Sequence, residues 1–206
     1  MKYDAIVVAS GIGSRAKLGY NKVLYQMKNG KTVLENACQL FLMDEDCEKV
    51  IVVSDAKNFE HPKLIWTSGG LKRSDSVYQG LILAQSEYVL IHDGARPFLS
   101  QRALTALKEE VIRTDAAILA TKCKDTVKRV IAGKIVETIN REEIYLAQTP
   151  QAFRRELLLA ANRNLSADAN VTDDASIMEL AGHEVSIVEN LDSNPKLTLK
   201  ADFEEI

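Results

Sequence analysis

Three short segments hold the residue types that handle phosphates. The first is Ser10-Gly11-Ile12-Gly13-Ser14-Arg15-Ala16, with Lys22 close behind. Gly11 and Gly13 allow a tight turn that brings backbone N–H groups against a phosphate chain. Arg15 can clamp phosphate oxygens through paired hydrogen bonds, and Lys22 supplies a mobile point charge. The second segment is Gly69-Gly70-Leu71-Lys72-Arg73-Ser74-Asp75-Ser76-Val77. A glycine pair ahead of a helix start carrying Ser74 and Ser76 can offer backbone and hydroxyl groups to a base or ribose. The third is Ile91-His92-Asp93-Gly94-Ala95-Arg96-Pro97, in which Asp93 ends a buried-type strand. Ligands of open α/β sheets sit beyond such strand ends, and a carboxylate there suits a ribose hydroxyl or Mg²⁺. His92 reads as a packed or hydrogen-bonded group, and His61 and His183 read as surface positions.

Two of these segments also have a plainer reading. Arg15 and Lys22 could be solvated surface charges, and the Gly69-Gly70 stretch a helix cap with a flexible entry. The first glycine spacing, with Ala16 in the third position, also meets the dinucleotide fingerprint. That fingerprint wants an acidic residue about twenty positions on, at the end of the second strand. Asn29, Gly30 and Lys31 stand there instead. No Gly-Lys-Ser/Thr closes the loop, so the Walker pattern is absent. Glycines and cations occurring together favour a polyphosphate site. No Ser/His/Asp order or histidine metal cluster stands out.

The elements that must position these residues alternate. Ala5–Ala9, Val50–Val53, Tyr88–Ile91 and Ala116–Ala120 are continuous apolar runs, the pattern of strands buried on both faces. Between them, Thr32 to Met43 puts Val33, Ala37, Leu40 and Phe41 on one helical face, and Ser76–Gln85 and Arg102–Ile112 also read as helices. Lys63–Thr67 and Glu184–Glu189 extend the sheet. The alternation predicts an α/β fold with a mostly parallel sheet flanked by helices. One stretch breaks the rhythm: Val127, Val130, Ile131, Ile135 and Val136 flank Ala132-Gly133-Lys134, which predicts an inserted β-hairpin over Thr126–Thr138. A lone hairpin is marginal in water, so this arm packs on its own domain or on a second subunit.

Composition bounds the function classes. The chain has 206 residues, 46% hydrophobic and 27% charged, enough for one globular domain over 1–206 with a β-arm at about 122–142. Its 26 basic and 29 acidic side chains leave a net charge of −3, which argues against a nucleic-acid coat or a polybasic membrane anchor. No apolar run approaches membrane-spanning length, and Met-Lys-Tyr-Asp leads into a strand rather than a signal peptide. Cys38, Cys47 and Cys123 show no C-x-x-C spacing, so no disulfide framework or structural zinc site is expected, and a cytoplasmic setting is.

In order along the chain, these motifs resemble those of the 2-C-methyl-D-erythritol 4-phosphate cytidylyltransferases. The resemblance rests on Gly-x-Gly-x-Arg with its following Lys22, on Gly-Gly-x-x-Arg-x-x-Ser-Val, and on His-Asp-Gly-Ala-Arg-Pro-Phe. It continues through Asp125-Thr126, Arg141, Thr149-Pro150-Gln151-Ala152-Phe153, Thr172-Asp173-Asp174-Ala175-Ser176 and Asn194-Pro195-Lys196-Leu197-Thr198. It covers nearly the whole chain. It implies a Rossmann-like nucleotidyltransferase fold, a homodimer joined through the β-arm, and Mg²⁺-dependent reaction of CTP with the polyol phosphate to give the CDP-alcohol and pyrophosphate. By position it implies that Arg15 and Lys22 stabilise the transition state, and that Arg141 and Lys196 hold the acceptor phosphate. Ala9, Ser10, Gly11, Gly13, Gly70, Arg73, Ser76, Asp93 and Gly94 fall at nucleotide-binding positions. Asp93, Arg96, Thr126, Thr149, Arg141 and Lys196 fall at acceptor positions, with Thr126 and Arg141 reaching across from the partner's arm. Asp93 doubles as the candidate metal ligand, and Thr172-Asp173-Asp174 reads as a helix cap.

The chain departs from the family pattern at four of these points. Asn21-Lys22-Val23 stands where Pro-Lys-Gln is common, which frees the backbone before Lys22 and removes one polar contact. Leu71 replaces the usual acid, and Ser10 the usual Ala. A ribitol 5-phosphate cytidylyltransferase is the nearest rival, and an NAD-dependent oxidoreductase using Gly11, Gly13 and Ala16 a distant one.

Overall fold

A computed structural model describes residues 1–11, 19–166, 169–204 and 206. Its main sheet contains β1 (Tyr3–Val8), β2 (Cys47–Val53), β3 (Leu64–Thr67), β4 (Tyr88–Asp93), β5 (Ala116–Lys122), β8 (Tyr145–Arg154) and β9 (Ser186–Glu189). They lie in the order β3-β2-β1-β4-β8-β5-β9. β8 runs antiparallel to both of its neighbours, and the other pairings are parallel. The expected mostly parallel sheet is therefore observed.

Alternation along each strand builds two apolar layers. Tyr3, Ala5 and Val7 of β1, with Val50, Val52 and Leu90, pack under α1 (Val33–Met43) and α3 (Gln101–Thr114) through Leu34, Phe41, Leu104 and Leu107. Ile6, Ile51, Val53, Val89 and Ile91 face the other way, onto α2 (Arg73–Leu83), α4 (Arg155–Arg163) and α5 (Asp174–Leu180) through Val77, Leu81, Leu158, Ile177 and Met178. Continuous apolar runs are what burial on both faces requires. α1 begins at a reciprocal cap: the Glu35 N–H donates to Thr32 Oγ1 (3.2 Å), and the Thr32 N–H donates to Glu35 Oε2 (2.6 Å).

The hairpin is present as β6 (Val127–Ile131) and β7 (Lys134–Ile139), a separate two-stranded sheet. It leaves from the carboxyl end of β5, and Gly133 turns it with φ +76°. Two elements did not figure in the sequence reading, β8 and α4. Proline disfavours a strand interior, which hides β8. Here Pro150 falls where pairing with β5 shifts register, between Ile118↔Gln151 and Ala120↔Ala147.

The sheet reverses its order beside β1, so the crevice between the carboxyl ends of β1 and β4 is the place for a ligand. α2 must lie close to β1 to wall that crevice, and Gly80 permits it: a Cβ there would sit 2.4 Å from Ile6 Cγ2. Gly80→Ala is expected to destabilise the fold by about 1–3 kcal/mol. Combining it with Ile6→Ala, which removes Cγ2, should cost less than the sum of the two single losses, read from urea midpoints. Additive losses would show that the two side chains do not compete for the same space.

Candidate active site

The pocket over the β1 and β4 ends has a volume of about 560 Å³, within the usual range for small-ligand sites. Ala9, Ser10 and Gly11 line one side, Gly70, Leu71, Lys72, Arg73 and Ser76 another, and Lys22, Asp93, Ala95 and Lys196 complete it. Most of the expected nucleotide positions thus converge. Gly13 and Arg15 lie outside the described residues. Gly94 follows Asp93 without lining the pocket, and its N–H donates to the Val8 carbonyl (2.9 Å), tying the β4 end to β1.

The Gly69-Gly70 loop is tied to the first segment through hydroxyls. Ser10 Oγ and Ser76 Oγ lie 3.0 Å apart, and the Gly70 N–H donates to Ser76 Oγ (3.1 Å). A Cβ on Gly69 would lie 2.4 Å from Ser10 Cβ, so only glycine fits there. The helix begins three residues earlier than the expected Ser76. The Asp75 carboxylate takes the Lys72 N–H at 2.9 Å, so α2 starts at Arg73 and aims that guanidinium inward. Leu71 projects fully into solvent at the pocket rim.

Asp93 gathers cations from three parts of the chain. Lys196 Nζ lies 2.8 Å from it, and the Arg73 and Arg96 Nε atoms lie 3.5 Å from it. Burial pushes the Asp93 carboxyl up, but the charges of Arg73, Lys196 and Arg96 outweigh burial and hold it well below the usual carboxylate range. Arg73 is shared with buried Asp174, whose Oδ2 lies 2.9 Å from Nη1. For Asp174 burial wins over the Arg73 charge, and its carboxyl is raised. Asp173 caps α5 by accepting the Ser176 N–H (3.0 Å), as expected. The role of Asp174 as counter-charge was not legible in the sequence, because an acid after a cap residue is ordinary helix chemistry.

Behind Asp93 runs a chain of hydrogen bonds with one polarity. His92 Nε2 lies 3.0 Å from the Arg96 carbonyl, which can only accept, so Nε2 carries the proton. Nδ1 then accepts from the Thr149 hydroxyl (3.0 Å), and Thr149 Oγ1 accepts the Asp93 N–H (3.0 Å). Thr149 thus meets the site through the backbone of Asp93. Arg96 Nη1 donates to the Asn194 carbonyl (2.7 Å), Asn194 Nδ2 donates to the Thr149 carbonyl (2.8 Å), and the Leu197 N–H donates to the Ala95 carbonyl (2.9 Å). These bonds strap the Lys196 segment across the site. Lys22 Nζ donates to the Leu197 carbonyl on that strap.

Three expectations change. The backbone before Lys22 is not freed by the loss of proline, because the Asn21 side chain bonds Ala9 and Val23 on either side of it. Val23 is buried in the core rather than left short of a polar contact. The acidic position was also misplaced: Asn29–Lys31 belong to a turn closed by the Gln26–Thr32 bridge, while the second strand ends at Val53. Thr126 and Arg141 are exposed at the base of the hairpin and do not line the pocket; Arg141 Nη1 donates to the Lys124 carbonyl (2.9 Å).

A doubly covered, mostly parallel sheet with a cation-lined pocket at its switch point defines an α/β protein with a site for an anionic ligand beyond its strand ends. A family model described as 2-C-methyl-D-erythritol 4-phosphate cytidylyltransferase matches residues 3–205. A protein of that name from Shouchella clausii is 40% identical over 98% of this chain and 94% of its own length. The crystal structure of the Francisella tularensis 2-C-methyl-D-erythritol 4-phosphate cytidylyltransferase superposes with a TM-score of 0.84 at 33% identity, covering 99% of this chain and 97% of that one. The corresponding Thermus thermophilus structure gives 0.80 at 27% identity, covering 96% and 94%. The chain belongs to the 2-C-methyl-D-erythritol 4-phosphate cytidylyltransferase family. That membership removes the oxidoreductase alternative.

Burial lowers the His92 pKa to about 4, with the Arg96 carbonyl and Asp93 opposing. Below about pH 6.5 the unfolded chain takes up a proton at this position that the native chain refuses until about pH 4. Stability at His92 is therefore full above pH ~6.5 and falls across that window, by on the order of 3 kcal/mol. His92→Gln should flatten the fall in urea midpoints between these limits; an unchanged slope would exclude His92 as its source.

Proposed function

We propose that this chain transfers CMP from CTP to 2-C-methyl-D-erythritol 4-phosphate, releasing pyrophosphate and forming the CDP-alcohol for isoprenoid precursor synthesis. The observation that carries this reading is the set of cations from three parts of the chain around Asp93, in a pocket otherwise lined by Gly11, Gly70, Ser10 and Ser76. An acceptor phosphate oxygen attacks the α-phosphorus in line, and the bond from that phosphorus to the pyrophosphate oxygen breaks. No covalent nucleophile on the protein is needed. The obstacle is repulsion between two anions, so positioning and fixed positive charge supply the catalysis. One cation about 4 Å from a unit charge is worth roughly 4 kcal/mol at an effective dielectric of ~20.

In this reading Ala9, Ser10, Gly11, Gly70 and Ser76 receive the nucleoside, and Lys22, with Arg15 and Gly13 of the same segment, meets the triphosphate. Arg73 stands between Asp93 and Asp174 as a fixed charge on the nucleotide side. Lys196, Arg96 and Thr149 serve the acceptor side. Among the described residues no group of three His, Cys, Asp or Glu gathers to hold a metal. Asp93 is the carboxylate on the pocket wall, and with Lys196 turned from its Oδ2 onto a substrate phosphate it would offer that oxygen to a Mg²⁺ held otherwise by the substrate's phosphate oxygens. When bound there, Mg²⁺ would neutralise triphosphate charge.

The chain works as one domain with its β-arm at about 122–142 joining a homodimer. Support comes from the exposed Val130, Ile131, Ile135 and Val136 on β6 and β7, an apolar surface of the kind partners cover. Thr126 and Arg141, at the arm's base, then serve the neighbouring subunit's acceptor site. No helix of the described residues is long and apolar enough to cross a membrane. Cys38, Cys47 and Cys123 are free thiols, which supports a cytoplasmic setting.

The reading is tested by pyrophosphate release from CTP with either polyol phosphate. Release with 2-C-methyl-D-erythritol 4-phosphate is expected, and release with ribitol 5-phosphate alone would contradict it. Lys22→Ala should lower kcat at least about 100-fold with KM for CTP within about threefold; a raised KM at unchanged kcat would make Lys22 a ground-state binder. Mixing inactive Lys22→Ala and Arg141→Ala chains under subunit exchange should restore activity in part. Persistent inactivity, with heterodimers confirmed by mass spectrometry, would refute a shared site.

A further inference from the structure

Asn21 immediately precedes Lys22, and its single side-chain amide makes two hydrogen bonds. Nδ2 donates to the Ala9 carbonyl at 3.0 Å, and Oδ1 accepts the Val23 N–H at 3.3 Å. Ala9 is where the chain leaves the β1 end, and its own N–H donates to the Val53 carbonyl (2.9 Å), so it is a fixed point of the sheet. Val23, in the short helical turn Lys22–Leu24, is buried in the core layer under α1 and α3. The amide therefore joins the strand end at Ala9 to the turn Lys22–Leu24. Lys22 is the first residue of that turn, and its Nζ reaches the Leu197 carbonyl on the Lys196 strap.

The backbone of Asn21, with φ −63° and ψ 115°, is one that proline adopts without strain. Proline would restrict φ and leave the Ala9 carbonyl without this donor. The amide holds the same backbone by tying it to the sheet. Aspartate would keep the acceptor for the Val23 N–H, as a good cap does, while setting an oxygen against the Ala9 carbonyl oxygen. Alanine would remove both bonds.

We infer that Asn21 is a positioning residue for Lys22, fixing the base of the phosphate-facing segment to the β1 end through the Nδ2–Ala9 hydrogen bond. The inference rests on the proposed cytidylyl transfer, in which Lys22 acts on charge developing at the triphosphate. Displacement of that ammonium by a fraction of an ångström should weaken the transition state more than the ground state.

The test compares wild type with Asn21→Asp, Asn21→Ala and Asn21→Pro in pyrophosphate release from CTP, alongside thermal midpoints. Asn21→Asp and Asn21→Ala should lower kcat by about 10- to 100-fold, with KM for CTP within about threefold and midpoints within about 3 °C. Asn21→Pro, which restores the φ restriction without the donor, should stay at least about fivefold below wild type. Wild-type kcat in Asn21→Asp would show that capping Val23 is all the amide does and would overturn the inference, as would a loss confined to KM. An inactive wild-type chain would instead overturn the proposed function itself, a result separable from any difference among the variants.

Discussion

The carboxylate of Asp93 is the interaction on which the site depends. Cations from the start of α2, from the turn after β4 and from the C-terminal strap converge on it. Left without a counter-charge, these cations would repel one another and splay into solvent. A carboxylate buried this deeply would in turn be costly without them. Lys196 keeps more than a third of its side chain exposed, whereas Asp93 and Arg96 keep about a tenth. Lys196 is thus the member of the cluster freest to turn toward an incoming phosphate.

The rest of the fold serves that convergence. The strand order reverses beside β1, which opens the crevice. Gly80 lets α2 approach β1 closely enough to bring Arg73 over the strand ends. On the far side, Asn194 and Leu197 bond Thr149 and Ala95, while Phe203 packs on Tyr25 (ring centroids 5.1 Å apart) and secures the strap that carries Lys196. Asp174 holds Arg73 from behind, so the guanidinium is not free to collapse wholly onto Asp93. Rigid placement of charge is what phosphoryl and nucleotidyl transfer require of a protein.

Much of this was legible in the sequence, for physical reasons. Strands buried on both faces must be continuous apolar runs, so β1, β2, β4 and β5 showed themselves, as did the amphipathic α1 and α3. The pocket-lining segments were visible because Gly11, Gly69 and Gly70 occur beside Arg73 and Lys22 at strand ends. What stayed hidden is local or long-range pairing. β8 carries Pro150 between polar Thr149 and Gln151, a pattern that reads as loop. Asp174 finds Arg73 across the space between two helices, which no spacing rule encodes. Asn21 reads in sequence as the loss of a stiff residue, yet its amide bonds a position twelve residues earlier in the chain. The acceptor roles implied for Thr126, Arg141, Thr149 and Lys196 rest on family resemblance, since no periodicity could have named them.

The carboxylate's role is tested most directly by Asp93→Asn, which removes the charge and keeps the shape. Turnover of CTP with 2-C-methyl-D-erythritol 4-phosphate would be measured beside circular dichroism to confirm the fold. If Asp93 organises the cations, the variant folds and loses at least about 100-fold in kcat/KM. A folded Asp93→Asn chain with wild-type turnover would contradict the central role given to this carboxylate.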